Sequence, residues 1–472
     1  MKGNFFINVR KRLRVGGCNM EESSTLLTIV GLLIIVSIVT LLIIKKISPV
    51  VGMILIPIVG ALLIGHGFGD IRKYVDSGID QVFNVAIMFI FAIIYFGIIS
   101  DSGLFRPFVK VMIKFTRGNV IIVAVVTALI GTCAQLDGAG ATTFLLAIPA
   151  LLPLYRALKM SPYLLVLLLA LSAAIINMVP WGGPMARTAS VIGVDNINDL
   201  WYQVIPLQLI GIVLVVLFAM FLGMREKRRI ARTYSDMDRE KIDIQSIVEG
   251  YEQQQNENSP IIGEAAKHKY ILWLNLILTI IIVAMMLLDI VPPELAFMIG
   301  VAIALPLNFR NVDYQMERIR AHAPNALMMA AVILAAAVFL GILNETGMLK
   351  AIALSLITIL PTAVGPYLHI IVGMLGVPLD LLTSTDAYYF AILPIVESTA
   401  GQFNVPTEST AFALMIGNVI GTFVSPFAPA VWLAVGLAEI NMGKYIKYAF
   451  FWVWGFSIIM LIIAICLGIV TI

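Results

Sequence analysis

Two short runs place a carboxylate and several small hydroxyl side chains inside otherwise apolar sequence. The first is Leu136-Asp137-Gly138-Ala139-Gly140-Ala141-Thr142-Thr143, the second Leu382-Thr383-Ser384-Thr385-Asp386-Ala387-Tyr388-Tyr389. An acid in hydrocarbon is costly and is kept where it meets a solute, an ion or a proton. Asp137 and Asp386 are therefore read as the candidate metal and coupling residues. They ligate a cation as carboxylates, or in a poorly solvated site they take up a proton that travels with a substrate. Thr142 and Thr143 are placed with them, because hydroxyl oxygens suit a hard cation; Thr383, Ser384 and Thr385 suit the edge of a substrate carboxylate. The competing role for Asp137 is a helix cap, and one residue can do both.

A second kind of signal lies farther along each half. In Asn177-Met178-Val179-Pro180-Trp181-Gly182-Gly183-Pro184 two prolines remove backbone donors and two glycines relax the chain between them, so a continuous helix is excluded. The same holds for Gly421-Thr422-Phe423-Val424-Ser425-Pro426-Phe427-Ala428-Pro429. Backbone freed at membrane depth needs an enclosed polar chamber. Half-helices that end there turn amide dipoles toward an anion and carbonyls toward a cation. Asn177, Gly182, Gly183, Asn418 and Ser425 are thus candidate substrate ligands. Arg187 joins them as a two-point carboxylate holder, with snorkelling to the interface as its alternative. His369 lies too far ahead of the second run to be chosen as a proton carrier.

These residues sit in a chain built for lipid. Of 472 residues 60% are hydrophobic and 12% charged, with a mean hydropathy of +0.98. Apolar runs at 29–44, 82–99, 207–222, 271–288 and 448–467 are too many for the interior of one soluble domain. They lack the alternation of a membrane barrel. Basic clusters at Arg10–Arg14 and Arg225–Arg232 flank apolar segments and mark cytoplasmic ends; without an aromatic binding surface they do not suggest nucleic acid. The three cysteines, Cys18, Cys133 and Cys466, are too scattered for a disulfide framework or metal cluster. A second methionine, Met20, opens the first apolar run and is read as a candidate start, with that run a retained helix rather than a cleaved signal.

The hydrophilic stretch 225–268 separates two transmembrane halves, 25–224 and 269–472, with 1–24 as a cytoplasmic extension. The halves repeat one another. Gly97-Ile98-Ile99-Ser100-Asp101-Ser102-Gly103-Leu104 returns as Gly341-Ile342-Leu343-Asn344-Glu345-Thr346-Gly347-Met348, Phe144–Pro149 as Tyr389–Pro394, and Val179-Pro180 through Pro184 as Ser425-Pro426 through Pro429. Three landmarks in one order point to an internal duplication. Spans are expected near 26–44, 50–64 and 82–99, then an amphipathic stretch at 105–115, a hairpin entered from 120–132, a broken helix at 163–189 and a closing span at 207–222. The second half carries its hairpin at 382–394 and its broken helix at 411–437. The expected fold is an all-α polytopic membrane protein of two inverted repeats, with re-entrant hairpins, discontinuous helices and 11 or 12 spans in total.

With Leu136-Asp137-Gly138, Thr142-Thr143, Pro180-Trp181-Gly182-Gly183-Pro184, Ala186-Arg187, Asp386-Ala387-Tyr388-Tyr389-Phe390, Leu393-Pro394, Ser425-Pro426 and Leu433-Ala434-Val435-Gly436-Leu437-Ala438 in hand, the chain resembles the citrate-metal:proton symporters, within the larger group that holds the divalent-anion:sodium symporters. The resemblance implies uptake of citrate as a complex with Mg2+ or Ca2+, coupled to H+, across a bacterial plasma membrane by an elevator-like motion. No cofactor is implied beyond the co-transported ion. Membrane lipids are the surroundings, and a homodimer follows from the wider group only. Three places depart from the family pattern: Ala139 where a second acid is expected, Thr385 where Asn is expected, and Gly417 to Phe423, more apolar than expected before the Ser-Pro pair. Loss of an acid leaves a different complex or a free carboxylate open as substrate, and the alternative is a sodium-coupled carrier of dicarboxylates or another organic anion. No enzyme is expected: no leaving-group or water-activating constellation accompanies the acids, and no phosphate-binding glycine loop supports an ATP-driven pump.

Overall fold

The structure, a computed structural model, describes residues 25–42, 44, 46–104, 106–138, 140–194, 196–233, 249, 253, 269–288, 290–359, 361 and 364–472. The extension 1–24, most of the central hydrophilic stretch and Ala139 lie outside them. All of the regular structure among the described residues is helical. The first half runs α1 (Thr25–Leu42), α2 (Pro49–Leu63), α3 (Phe68–Asp101), α4 (Arg106–Phe115), α5 (Val120–Ala134), α6 (Gly140–Ala157), α7 (Pro162–Ile176), α8 (Gly183–Ile192) and α9 (Ile197–Thr233). The second runs α10 (Lys269–Leu287), α11 (Pro293–Asn308), α12 (Val312–Glu345), α13 (Met348–Ile359), α14 (Leu368–Met374), α15 (Gly376–Leu382), α16 (Leu393–Gly401), α17 (Thr407–Thr422), α18 (Pro429–Leu437) and α19 (Met442–Cys466).

Among the described residues eight helices are long and apolar enough to cross a membrane: α1, α3, α5 with its following turn, α6, α9, α10, α12 and α19. The α14–α15 pair, bent by 64°, would make a ninth. The expected 11 or 12 also include the shorter apolar α2 and the two broken helices, of which α7 is the first arm of one; α11 and α13 are likewise apolar but shorter. Leu209, Val213, Leu217 and Phe221 on α9 and Trp273, Ile277 and Ile280 on α10 are exposed, the surface a bilayer covers.

Helices α3 and α12 form the spine. They run in opposite directions: at one end Gly97 lies against the His322 ring, at the other Gly78 lies against Gly341. The carboxylate that ends each helix reaches the early part of the other. Asp101 meets His322 Nε2 at 2.7 Å and Arg318 Nη1 at 3.5 Å, while Glu345 accepts from Ser77 Oγ at 3.1 Å. Since Gly97 and Asp101 are the sequence counterparts of Gly341 and Glu345, the two sets of contacts mirror one another.

Two helices differ from expectation in length. α3 begins at Phe68, well before the apolar window, and α9 continues to Thr233 through residues assigned to the loop. The latter is held by Arg229, whose Nη2 meets Glu226 Oε1 at 2.7 Å one turn away, and by good helix formers. Glu226 Oε1 also accepts from the backbone N–H of Ser161 at 2.6 Å, so α9 satisfies the start of α7.

Candidate functional site

In the first half the hairpin tip faces the helix break. α5 ends in a tight turn, Gln135–Asp137, which closes when Gly138 N–H bonds to Gln135 O at 2.8 Å. Gly138 has φ +72°, and a Cβ there would stand 2.9 Å from Trp181 O, so this place needs glycine on both counts. Asn177 caps α7 where the helix stops, and α8 restarts at Gly183 with Gly182 as its N-cap and Pro184 in its first turn. Two bonds join tip to break, and a third ties the two arms of the hairpin. Trp181 Nε1 donates to Leu136 O at 2.8 Å, Gln135 Nε2 to Asn177 Oδ1 at 3.4 Å, and Thr143 Oγ1 to Gln135 Oε1 at 2.7 Å. Asp137 is buried beside them at 5% exposure. Thr142, one step from Thr143, is only half-buried.

In the second half a hairpin tip also faces a helix break, with a residue that sequence reasoning missed. α14 and α15 pack against α17 backbone to backbone: a Cβ on Gly376 or Gly417 would strike the main chain of the other helix. That approach brings fully buried Asp380, on α15, to Asn418 on α17; Asn418 Nδ2 donates to Asp380 Oδ1 at 2.7 Å. Thr385 Oγ1 donates to the same oxygen at 3.2 Å, and Ser425 Oγ, in the break between α17 and α18, donates to Asp380 O at 2.6 Å. Asp380 Oδ2 is buried without a hydrogen-bond partner. A buried carboxylate oxygen in that condition is costly and marks a place where a cation or proton is accommodated.

The register explains the omission. Carrying the match of Phe144–Pro149 with Tyr389–Pro394 back to the tips sets Gln135 opposite Asp380 and Asp137 opposite Leu382. Asp137 and Asp386 are therefore not equivalent: Asp137 closes the first arm of its hairpin, whereas Asp386 lies in the turn Thr385–Ala387 that opens the second arm of the other. The usable signal was the Asp380 register against Gln135, an acid in an apolar run at a place where the other half also carries a polar side chain.

The remaining candidates sort by their partners. Arg187 of α8 donates from Nε to Asp386 Oδ1 at 2.8 Å, with 15% and 18% of the two side chains exposed. This pair ties the first break to the second tip. Ser384 caps the turn that holds Asp386, accepting from Ala387 N–H at 3.2 Å, and both line an open cavity of about 700 Å³ shared with Lys46, Pro426, Phe427 and Trp432. Thr383 is turned away, donating to Leu379 O at 2.9 Å. His369 bonds Thr471 O at 2.9 Å, away from the tip. Phe144 of α6 meets Phe423 of the second break at 5.9 Å between ring centres, and α8 packs on α17. Both tips and both breaks thus belong to one connected region. Among the described residues no three His, Cys, Asp or Glu side chains gather into a metal cage.

Hairpin tips set against broken helices, inside an all-α bundle of long apolar helices, are the architecture of a membrane transporter. Two solved transporters share the fold: YdaH of Alcanivorax borkumensis (TM-score 0.55, 16% identity, 85% of this chain and 90% of that one), and MtrF of Neisseria gonorrhoeae (TM-score 0.55, 13% identity, 84% and 83%), described as illuminating a class of antimetabolite efflux pumps. Sequence narrows the class. Residues 20–417 match the profile of CitMHS, citrate transporter. Three proteins of Bacillus subtilis (strain 168) are each 33% identical over their whole length: a citrate transporter over 446 residues, a Mg(2+)/citrate complex secondary transporter over 449, and the uncharacterized transporter YraO over 448, spanning 94%, 95% and 95% of this chain. The chain belongs to the CitMHS citrate transporter family, whose members are transporters and not enzymes.

Proposed function

We propose that this protein is a secondary active carrier that takes up citrate as a divalent-metal complex, coupled to protons, across a bacterial plasma membrane. The observation that carries the reading is the polar cluster at the second tip, Asp380 with Thr385, Asn418 and Ser425, tied through Asp386 and Arg187 to the first break. Two of the relatives are named for citrate, one of them for its magnesium complex.

In this reading the metal is cargo. Citrate supplies oxygen ligands of its own, so the protein need contribute only part of the metal's shell. Arg187 and Asp386 hold one another until a citrate carboxylate exchanges for Asp386 on the guanidinium fork, which frees Asp386 to face the metal. Amides at the start of α8 and α18 favour the anion, since each helix begins at a break. Asp380 Oδ2 takes the coupling proton. The tips and broken helices carry the solute past α3 and α12, whose mirrored contacts support inverted repeats and alternating access by a rocking or elevator motion.

A second reading has one observation in its favour. Asp380, Thr385 and Asn418 present hard oxygen atoms that also suit Na+, so a sodium-coupled carrier of dicarboxylates is the alternative. Proteoliposome uptake decides between them: labelled citrate is offered free or with Mg2+ or Ca2+, under an imposed pH or sodium gradient. Accumulation that needs both the metal and the pH gradient is expected. Sodium-driven accumulation of free dicarboxylate would replace the first reading by the second.

A further inference from the structure

The C-terminal end of α9 carries a cluster that the transport site does not use. Arg225, Arg228, Arg229 and Arg232 follow helical spacing and share one face. Arg229 is committed to structure, bonded to Glu226 and to Lys159 O at 2.7 Å. Arg228 and Arg232 are exposed and have no carboxylate partner among the described residues. An open cavity of about 620 Å³ lies between these arginines and the apolar side chains Phe221 and Met224.

The depth of this cavity can be fixed from its neighbours. Arg225 stands over the Trp452 ring at 5.3 Å, and Trp452 packs on Phe218 and Phe221 at 5.5 and 6.1 Å. Trp452 and Tyr448 are one turn apart on α19, the kind of aromatic pair that sits at headgroup level. Arg228 and Arg232 lie one and two turns further along α9, on the side away from the apolar stripe. In the other direction Leu217 and Phe221, 54% and 49% exposed, continue as a surface for an acyl chain.

We propose that this cavity is a binding site for an anionic phospholipid, its phosphate held by Arg225, Arg228 and Arg232 and its acyl chain laid along Leu217 and Phe221. Charge complementarity selects the headgroup, and the adjoining apolar stripe selects a lipid over a small soluble anion.

The test uses the full-length protein in detergent micelles, with retained lipid counted by native mass spectrometry. Phosphatidylglycerol and phosphatidylcholine are titrated separately, and glycerol phosphate is added as a soluble competitor. The wild type should retain phosphatidylglycerol in preference to phosphatidylcholine. Arg228→Gln with Arg232→Gln should weaken that retention roughly 30-fold and Arg232→Gln alone roughly 5-fold. Arg72→Gln, an exposed arginine paired with Asp76, should leave it unchanged. Should the double variant fail to insert, the single variant carries the comparison, since Arg232 lies in the last turn of α9. Equal retention of the two lipids, unchanged retention in the arginine variants, or full displacement by glycerol phosphate at equal concentration would overturn the proposal.

Discussion

Removing one partner of the Arg187–Asp386 pair should harm the protein as much as removing both. At 2.8 Å and an effective dielectric of about 20, Coulomb's law gives an attraction of about 6 kcal/mol. Each side chain keeps some contact with solvent, 15% and 18%, so part of this is screened. Close, partly buried pairs couple by roughly 1.5–7 kcal/mol, and about 3 kcal/mol is the value expected here. Arg187→Gln leaves Asp386 as an uncompensated charge, and Asp386→Asn does the same for Arg187; each should cost about 3 kcal/mol. The double variant should cost about 3 kcal/mol as well, because both charges leave together. Unfolding by sodium dodecyl sulfate titration in mixed micelles measures all four proteins. Strictly additive losses, with the double variant near 6 kcal/mol, would refute the coupling and the geometry behind it.

Other consequences follow from the same contacts. Asp380→Asn keeps an acceptor for Asn418 and Thr385 but removes the charge, so gradient-driven citrate accumulation in proteoliposomes should fall at least 10-fold while membrane insertion is retained. Asp137→Asn and Asp386→Asn should likewise cut metal-dependent citrate uptake; normal uptake in both variants removes these two residues from the site. Gly138→Ala places a side chain at φ +72° and against Trp181 O, and a loss of about 1–2 kcal/mol in the same detergent titration is expected. Glu226→Gln weakens the anchor between α9 and the start of α7, which should show as faster amide exchange near Ser161.

Much of the fold could be read from the sequence because the bilayer makes composition explicit. α1, α2 and α4 to α8 lie within a few residues of their expected places, and both breaks fall where Pro180 and Pro426 forbid a helix. Helix lengths were less legible. The amphipathic start of α3 and the charged end of α9 look like loops to a hydropathy reading, yet packing on α12 and the Glu226–Arg229 pair make them helical.

At the site, Asn177, Thr143, Thr385, Asn418 and Ser425 were identifiable because polar side chains beside a broken apolar helix need a reason to be there. Asp380 was not, since Asp386 lies six residues on within the more conspicuous run. Only the pairing of Gly376 with Gly417 shows which acid faces Asn418. The Arg187–Asp386 bond joins residues 199 apart in sequence, and no local pattern announces it.

The central claim is that the two halves build one substrate site. Equilibrium binding of magnesium citrate to the purified protein, compared among wild type, Asn177→Leu and Asn418→Leu, tests it most directly. Each asparagine stands at a different break and bonds a different hairpin. A single class of site that either substitution weakens by about 10-fold or more is the predicted result. Unchanged affinity in one of the two variants, with the other abolished, would place the substrate in one half alone and contradict the account.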